Sequence, residues 1–149
     1  MYDCNGEEEI KDIIDRYIGY LPKDSTAKAY ASYEVDLFSD IVRNAKNKFG
    51  FRSTGEVIGL IDTSLTKTGK AGFLFTTEGL AFDYAFEKVF LRYDEINSLS
   101  FNKRGSELYF NGSFYGINSS TTIPSISNTW IRVSELKEMI EEIMGLFHK

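Results

Sequence analysis

The chain has 149 residues, of which 42% are hydrophobic and 15% aromatic, a composition typical of one folded domain and not of a disordered segment. Its formal net charge of -5 disfavours general attraction to nucleic acid or to an anionic membrane surface. The single cysteine, Cys4, excludes an intramolecular disulfide and a cysteine-based zinc site, and we expect no cofactor. The N-terminal residues lack the pattern of a signal peptide, so we expect a cytoplasmic protein.

Residues 1–50 predict two amphipathic helices. Two groups of apolar residues recur at helical spacing, namely Ile10, Ile13, Ile14, Tyr17, Ile18 and Leu21, and then Tyr30, Tyr33, Leu37, Phe38, Ile41, Val42 and Ala45. We expect Pro22 to end the first helix and Gly50 to supply a left-handed C-cap for the second. We expect the two helices to pack as a hairpin or to lie together against another surface.

Strands are predicted after residue 55, because short runs rich in Val, Ile, Phe and Tyr alternate with turn residues. The seven candidate strands are residues 56–62, 72–76, 80–84, 88–93, 96–102, 107–111 and 121–126. Connections this short favour antiparallel neighbours. A third helical stripe follows in Val133, Leu136, Ile140, Ile143, Met144 and Phe147. The predicted fold class is therefore α+β.

This element order and several local motifs resemble bacterial domains of the pleckstrin-homology (PH) superfold, across residues 55–147. The motif residues are Asp62 and Thr63 at a strand end, Gly69 in the following loop, and Gly72, Thr76 and Gly79 in a Phe-Thr-x-x-Gly hairpin. The resemblance implies a seven-stranded antiparallel bent barrel capped by a C-terminal amphipathic helix. It divides the chain into an N-terminal helical pair, residues 1–50, and a PH-like barrel with its helix, residues 51–149.

The strand at residues 72–76 is apolar on both of its faces. Phe73 and Phe75 point to one face and Leu74 to the other, whereas a strand with one wet face alternates with polar residues. The outer face of this sheet must therefore be covered. The N-terminal helices, a protein partner or a second copy of the chain would each satisfy that requirement.

The Gly69–Lys70 pair raises the question of a nucleotide-binding loop. A phosphate loop of the Walker type needs glycine five residues before this pair and Ser or Thr directly after it, but Ser64 and Ala71 occupy those positions. The following residues continue as a strand and not as a helix. We therefore interpret the segment as a turn, in which Asp62 and Thr63 bind backbone amides.

Basic residues near this turn offer a different function. In PH domains that bind phosphoinositides, basic residues on and beside the first interstrand loop hold the headgroup phosphates, and Lys67 and Lys70 match that location. Lys103 and Arg104 would add charge if their loop lies at the same end of the barrel. The alternative is that these are ordinary solubilising charges.

The function that we predict is a non-catalytic protein-interaction or scaffolding module. We expect a protein partner or self-association, through an exposed sheet edge or the groove beside the last helix. Lipid headgroup binding is the alternative, and a small hydrolase with an unrecognised site is the third hypothesis. His148 is the only histidine of the chain, so we expect no His-dependent enzyme. The aromatic residues are not interleaved with Arg or Lys, so we expect no nucleic-acid binding.

Overall fold

The computed structural model describes residues 3–18, 28–50, 53–62, 68–70, 72–84, 87–101, 107–110, 115–118 and 133–147. Within them the helices are α1 (Asp3–Ile18), α2 (Ser39–Lys48) and α3 (Val133–Phe147). The strands are β1 (Lys28–Tyr30), β2 (Val57–Asp62), β3 (Gly72–Thr76), β4 (Gly79–Tyr84), β5 (Glu87–Arg92), β6 (Leu99–Phe101), β7 (Glu107–Phe110) and β8 (Tyr115–Asn118). Short 3-10 turns occupy Ser32–Glu34 and Tyr93–Glu95.

The described strands form two antiparallel sheets. Five strands pair in the order β1-β2-β3-β4-β5, and three pair in the order β6-β7-β8. The larger sheet is open, because its edge strands β1 and β5 are not paired with each other. The α+β class is thus confirmed, while a closed seven-stranded barrel is not seen in the described residues.

Helices cover both faces of the five-stranded sheet. On one face, Phe73, Phe75 and Phe82 pack in a core with buried residues of α1 and α3. On the other face, Leu74 lies in a second core with Val42 and Ala45 of α2 and with further residues, which include Tyr30, Phe49, Leu60 and Ala81. The prediction that both faces of β3 must be covered is confirmed.

The predicted helical hairpin is wrong. Helices α1 and α2 lie on opposite faces of the sheet, and α1 contacts α3 and β2. The segment between them supplies β1, which pairs with β2 so that Tyr30 lies opposite Leu60. The described part of residues 1–50 therefore shares the five-stranded sheet and both of its cores with the rest of the chain, and the division at residue 50 stays a prediction about folding units.

The second helix begins later than predicted. Its apolar spacing starts at Tyr30, but Tyr30 is in a strand and α2 begins at Ser39. Gly50 is not in the left-handed conformation, because only Gly55, Gly69 and Gly72 have positive φ among the described glycines. A Cβ at Gly50 would lie 2.6 Å from Leu74 Cδ2, so this glycine allows the end of α2 to approach β3 closely.

The remaining strands agree with the predicted positions up to β7, with shifted ends. The predicted strand at residues 96–102 is shorter, since a 3-10 turn at Tyr93–Glu95 precedes it and β6 begins at Leu99. Strand β8 at Tyr115–Asn118 was not predicted, and the predicted strand at residues 121–126 lies outside the described residues.

Candidate functional site

The end of the loop between β2 and β3 is anchored by polar contacts. Asp62 is fully buried, and its Oδ2 accepts a hydrogen bond of 3.0 Å from the backbone N–H of Gly69. Gly69 has a φ of 83°, and a Cβ there would overlap the carbonyl oxygen of Ile41 in α2. The side chain of Asn44 donates to the carbonyl of Thr68 at 2.9 Å. Asp62 therefore fixes the end of the loop at Gly69, and Thr68 and Gly69 pack on α2.

Of the four basic residues predicted to bind a headgroup, the structure describes one. Lys70 is exposed, directly after the anchored residue Gly69. Lys67, Lys103 and Arg104 lie outside the described residues, as does Thr63 of the predicted motif. The structure therefore places Lys70 at the surface, and the grouping of the four basic residues stays a prediction.

The corner of the β3–β4 hairpin is built around the buried hydroxyl of Thr76. This oxygen accepts hydrogen bonds of 3.0 Å from the backbone N–H groups of Glu78 and Gly79. It donates to the carbonyl of Thr54 at 2.7 Å. The carbonyl of Thr76 accepts a bond of 2.8 Å from the hydroxyl of Tyr93, and burial raises the pKa of that phenol. We name this group the hairpin corner.

Charged side chains form the outer edge of the hairpin corner. Arg92 donates to Glu78 at 3.1 Å and to Asp94 at 3.2 Å, and the hydrogen bond to Asp94 is the main cause that raises the pKa of Arg92. Thr54 donates to the same carboxylate oxygen of Glu78. These contacts hold the side chains of Glu78 and Asp94 beside Arg92.

A second polar cluster joins α1 to α3. Arg16 donates to both carboxylate oxygens of Glu142, at 2.9 and 3.2 Å, and the hydroxyl of Tyr17 donates to Oε2 at 2.6 Å. Burial and the hydrogen bond to Glu142 raise the pKa of Tyr17 to about 12. The hydrogen bonds from Arg16 and Tyr17 lower the pKa of Glu142. This helix clamp, as we call it, holds two helices together.

An exposed apolar surface lies between β1 and α2. Tyr33 and Leu37 are 74% and 75% exposed, and Phe38 is 39% exposed. The ring of Phe38 packs on Tyr30 with 4.8 Å between centroids, which fixes one side of the surface to the core. We call Tyr33, Leu37 and Phe38 the apolar patch. Large exposed apolar groups that adjoin one another are typical of binding surfaces.

Backbone and side-chain hydrogen bonds order the segment that carries the apolar patch. Asp15 of α1 accepts from the backbone N–H of Ser32 at 2.8 Å and from its hydroxyl at 2.7 Å. Glu34 accepts from the backbone N–H of Ala31 at 2.9 Å. These contacts cap the 3-10 turn, so the patch is presented by an ordered backbone.

Sequence reasoning missed the apolar patch as a surface. Tyr33 and Leu37 were assigned to the apolar stripe of a helix, and periodicity does not distinguish a buried stripe from an exposed one. The available signal was local. The stretch carries Glu34, Asp36 and Asp40 among its apolar residues, an acidic density that a fully buried stripe does not tolerate.

The described residues contain neither a metal-type cluster nor a membrane-spanning helix. No group of three or more His, Cys, Asp or Glu side chains in that part of the chain is arranged to hold a metal ion. None of the helices there combines the length and the apolar character that crossing a membrane requires.

Comparisons with known proteins find no relative. The chain matches no protein-family model, and neither a curated protein nor a solved structure is similar to it. The resemblance to bacterial PH-like domains therefore rests on the motifs and element order of the chain alone.

Proposed function

We propose that the protein is a non-catalytic protein-interaction module. The observation that carries this proposal is the exposure of the apolar patch. Both faces of the five-stranded sheet are covered by the chain's own helices, yet Tyr33 and Leu37 remain three-quarters exposed. Covering such side chains with a partner would remove apolar area from water, which is the main driving force of association.

The PH-like architecture is part of this proposal. Strands β2 to β8 are seven antiparallel strands in chain order, and α3 follows them. That order matches the seven strands and C-terminal helix of the superfold that the motifs resemble. In this proposal α1 and β1 are additions to the PH-like unit, and the two sheets form its bent barrel.

The chemistry of the buried polar residues also supports a non-catalytic role. Asp62, Thr76 and Thr77 are the buried polar or charged residues of the described part, and each takes part in hydrogen bonds that fix a loop or a turn. Catalytic acids, bases and nucleophiles instead face a cleft in which a substrate can reach them.

The test is a tagged capture from lysate of the source cell with quantitative mass spectrometry, beside analytical ultracentrifugation of the purified protein. We expect either one stoichiometric protein partner or a concentration-dependent oligomer. A monomer that retains no protein above the level of an unrelated tagged control would contradict the proposal.

A second candidate function is the binding of an anionic lipid headgroup near Lys70. The observation that favours it is the location of Lys70 on a loop that packs on α2, whose last turn contains the exposed Lys46 and Lys48. Lysines gathered near one surface attract phosphates. Flotation with vesicles that contain phosphatidylinositol phosphate tests it. We expect the Lys67→Glu, Lys70→Glu variant to lose flotation and Lys11→Glu in α1 to keep it, and flotation of the double variant would contradict it.

A further inference from the structure

The apolar patch shares one side of a helical turn with acidic residues. The backbone N–H of Phe38 donates to the carbonyl of Glu34 at 3.1 Å, which closes a turn with helical spacing. The 3-10 turn Ser32–Glu34 leads directly into it, so Tyr33, Asp36 and Leu37 stand at positions i, i+3 and i+4 of one helical stretch and project from the same side. All three are exposed. A partner that covers the apolar side chains must therefore also meet Asp36.

Along α2 the exposed side chains are acidic in the first turn and basic in the last turn. Asp40 lies in the first turn of α2 and is exposed, and Arg43 forms an ion pair with it. The lysines of α2 come only in its last turn, at Lys46 and Lys48. Among the described residues from Tyr33 to Arg43, carboxylates therefore outnumber basic groups.

We infer that the apolar patch docks an amphipathic segment of another protein whose apolar side chains are flanked by Lys or Arg. This inference rests on the proposed function and deepens it, because it names the surface and the chemistry of the partner. Apolar contact would supply the affinity, while opposite charges at the rim would orient the segment and speed its association.

Two other occupants fit the charges less well. In a two-fold dimer that pairs the patch with its own copy, the carboxylates of Asp36 and Asp40 from both subunits enter one interface and raise its negative charge, which disfavours the pairing. An anionic membrane surface would be repelled by the same carboxylates. A basic amphipathic segment meets neither obstacle.

The patch is also prepared for binding before a partner arrives. Phe38 packs on the ring of Tyr30, and the partly buried Val35 and Ile41 pack on the core beneath α2. Contacts with the core therefore fix the backbone that carries Tyr33 and Leu37. A surface that is already ordered loses less conformational entropy on association than a flexible one.

The test uses two synthetic helical peptides as probes. One peptide has a leucine face flanked by lysines, and the other is identical except that glutamates replace the lysines. At 0.15 M salt we expect the wild-type protein to bind the lysine peptide at least about tenfold more tightly, measured by fluorescence anisotropy. Failure to bind the lysine peptide, or equal affinity for both, would overturn the inference.

Matched variants locate the binding surface. We expect Tyr33→Ser, Leu37→Ser to weaken binding of the lysine peptide at least about tenfold. Phe147→Ser is the control, because Phe147 is another exposed large apolar side chain, 42% exposed, at the C-terminal end of α3. Equal loss in the patch variant and the control would overturn the inference.

Charge reversal separates a local acidic rim from the overall negative charge. We expect Asp36→Lys, Asp40→Lys to invert the preference so that the glutamate peptide binds more tightly. Glu7→Lys, Glu9→Lys changes the net charge by the same amount on exposed positions of α1, and it should keep the original preference. An inverted preference in both variants would show attraction by net charge alone and overturn the inference.

The remaining outcomes distinguish this inference from the proposed function. A dimer in ultracentrifugation that Leu37→Ser dissociates would overturn the basic partner and leave self-association as the function. If the Tyr33→Ser, Leu37→Ser variant retained a cellular partner in full, the apolar patch would not be its binding surface. The proposal that the protein is an interaction module would still hold. Flotation of the wild type, but not of Leu37→Ser, on neutral phosphatidylcholine vesicles would overturn both.

Discussion

The hairpin corner and the apolar patch place their side chains in opposite situations. At the hairpin corner, buried polar groups such as Thr76 and Thr77 have hydrogen-bond partners, and a buried tyrosine donates to a backbone carbonyl. At the apolar patch, large side chains remain in water although a covered core lies directly beneath them. A paired buried polar group stabilises the fold, whereas an uncovered apolar group is available to a partner. The first region thus contributes to stability, and the second is the surface that we propose for binding.

The largest effect on folding stability is expected when the hydroxyl of Thr76 is removed from the hairpin corner. We expect Thr76→Val to lower the free energy of unfolding by about 3 kcal/mol, because the N–H groups of Glu78 and Gly79 lose their acceptor in a buried place. Urea denaturation measures it. Thr76→Ser keeps the hydroxyl and should cost less than about 1 kcal/mol. Equal losses in the two variants would contradict a structural role for the hydroxyl.

A smaller loss of folding stability is expected when a methyl group is added at Gly79 in the hairpin corner. A Cβ at Gly79 would lie 2.7 Å from Cζ of Phe90 and would overlap the carbonyl oxygen of Leu91. We expect Gly79→Ala to cost about 2 kcal/mol because the neighbouring strand must shift. Gly145→Ala is the control, since no atom lies within 4 Å of its Cβ, and it should stabilise α3 by about 0.5 to 1 kcal/mol. A neutral Gly79→Ala would contradict the packing.

The side chains of the helix clamp are hydrogen-bonded, as those of the hairpin corner are, but they are partly exposed to water. We therefore expect their loss to change the free energy of unfolding less. We expect Glu142→Gln to cost at most about 1 kcal/mol at pH 7, since both partners of the ion pair are nearly half exposed. The pKa of Glu142 is lowered from 4.5, so its contribution is present above that pH and disappears as the pH falls through the lowered pKa. The pKa of Tyr17 is raised from 10.0 to about 12, so its contribution is lost between those values.

Denaturation of the wild type and of Glu142→Gln from pH 3 to 7 checks the acid side of this behaviour. The stability difference between the two proteins should shrink as the pH falls. Glu7→Gln, at an exposed position of α1, serves as the control and should change little. A difference that grows toward acid would contradict the lowered pKa of Glu142.

The sequence predicts most elements whose apolar pattern is regular. Helices α1 and α3 and strands β2 to β5 follow from period and turn residues, and the covered faces of β3 follow from its lack of alternation. Strand β1 was missed because Tyr30 continues a helical spacing into α2, while pairing with β2 determines its conformation. Tertiary contacts override such local patterns, and no local pattern reports them.

The sequence does not predict the apolar patch. The sequence indicates a headgroup site at the basic residues because lysines and arginines in a predicted loop can be recognised directly. Of these residues the structure describes only Lys70. The apolar patch depends instead on which side chains the fold leaves uncovered. Tyr33 and Leu37 look like core residues in sequence, and only the positions of β1 and α2 show that they are exposed.

The most direct test of the contrast between stability and binding combines two readings on one variant. For Tyr33→Ser, Leu37→Ser we expect a free energy of unfolding within about 0.5 kcal/mol of the wild type, because exposed side chains contribute little to the fold. The affinity for the lysine-flanked peptide should fall at least about tenfold in the same preparation. A variant that loses several kcal/mol of stability, or that binds as the wild type does, would contradict the assignment of this surface to binding.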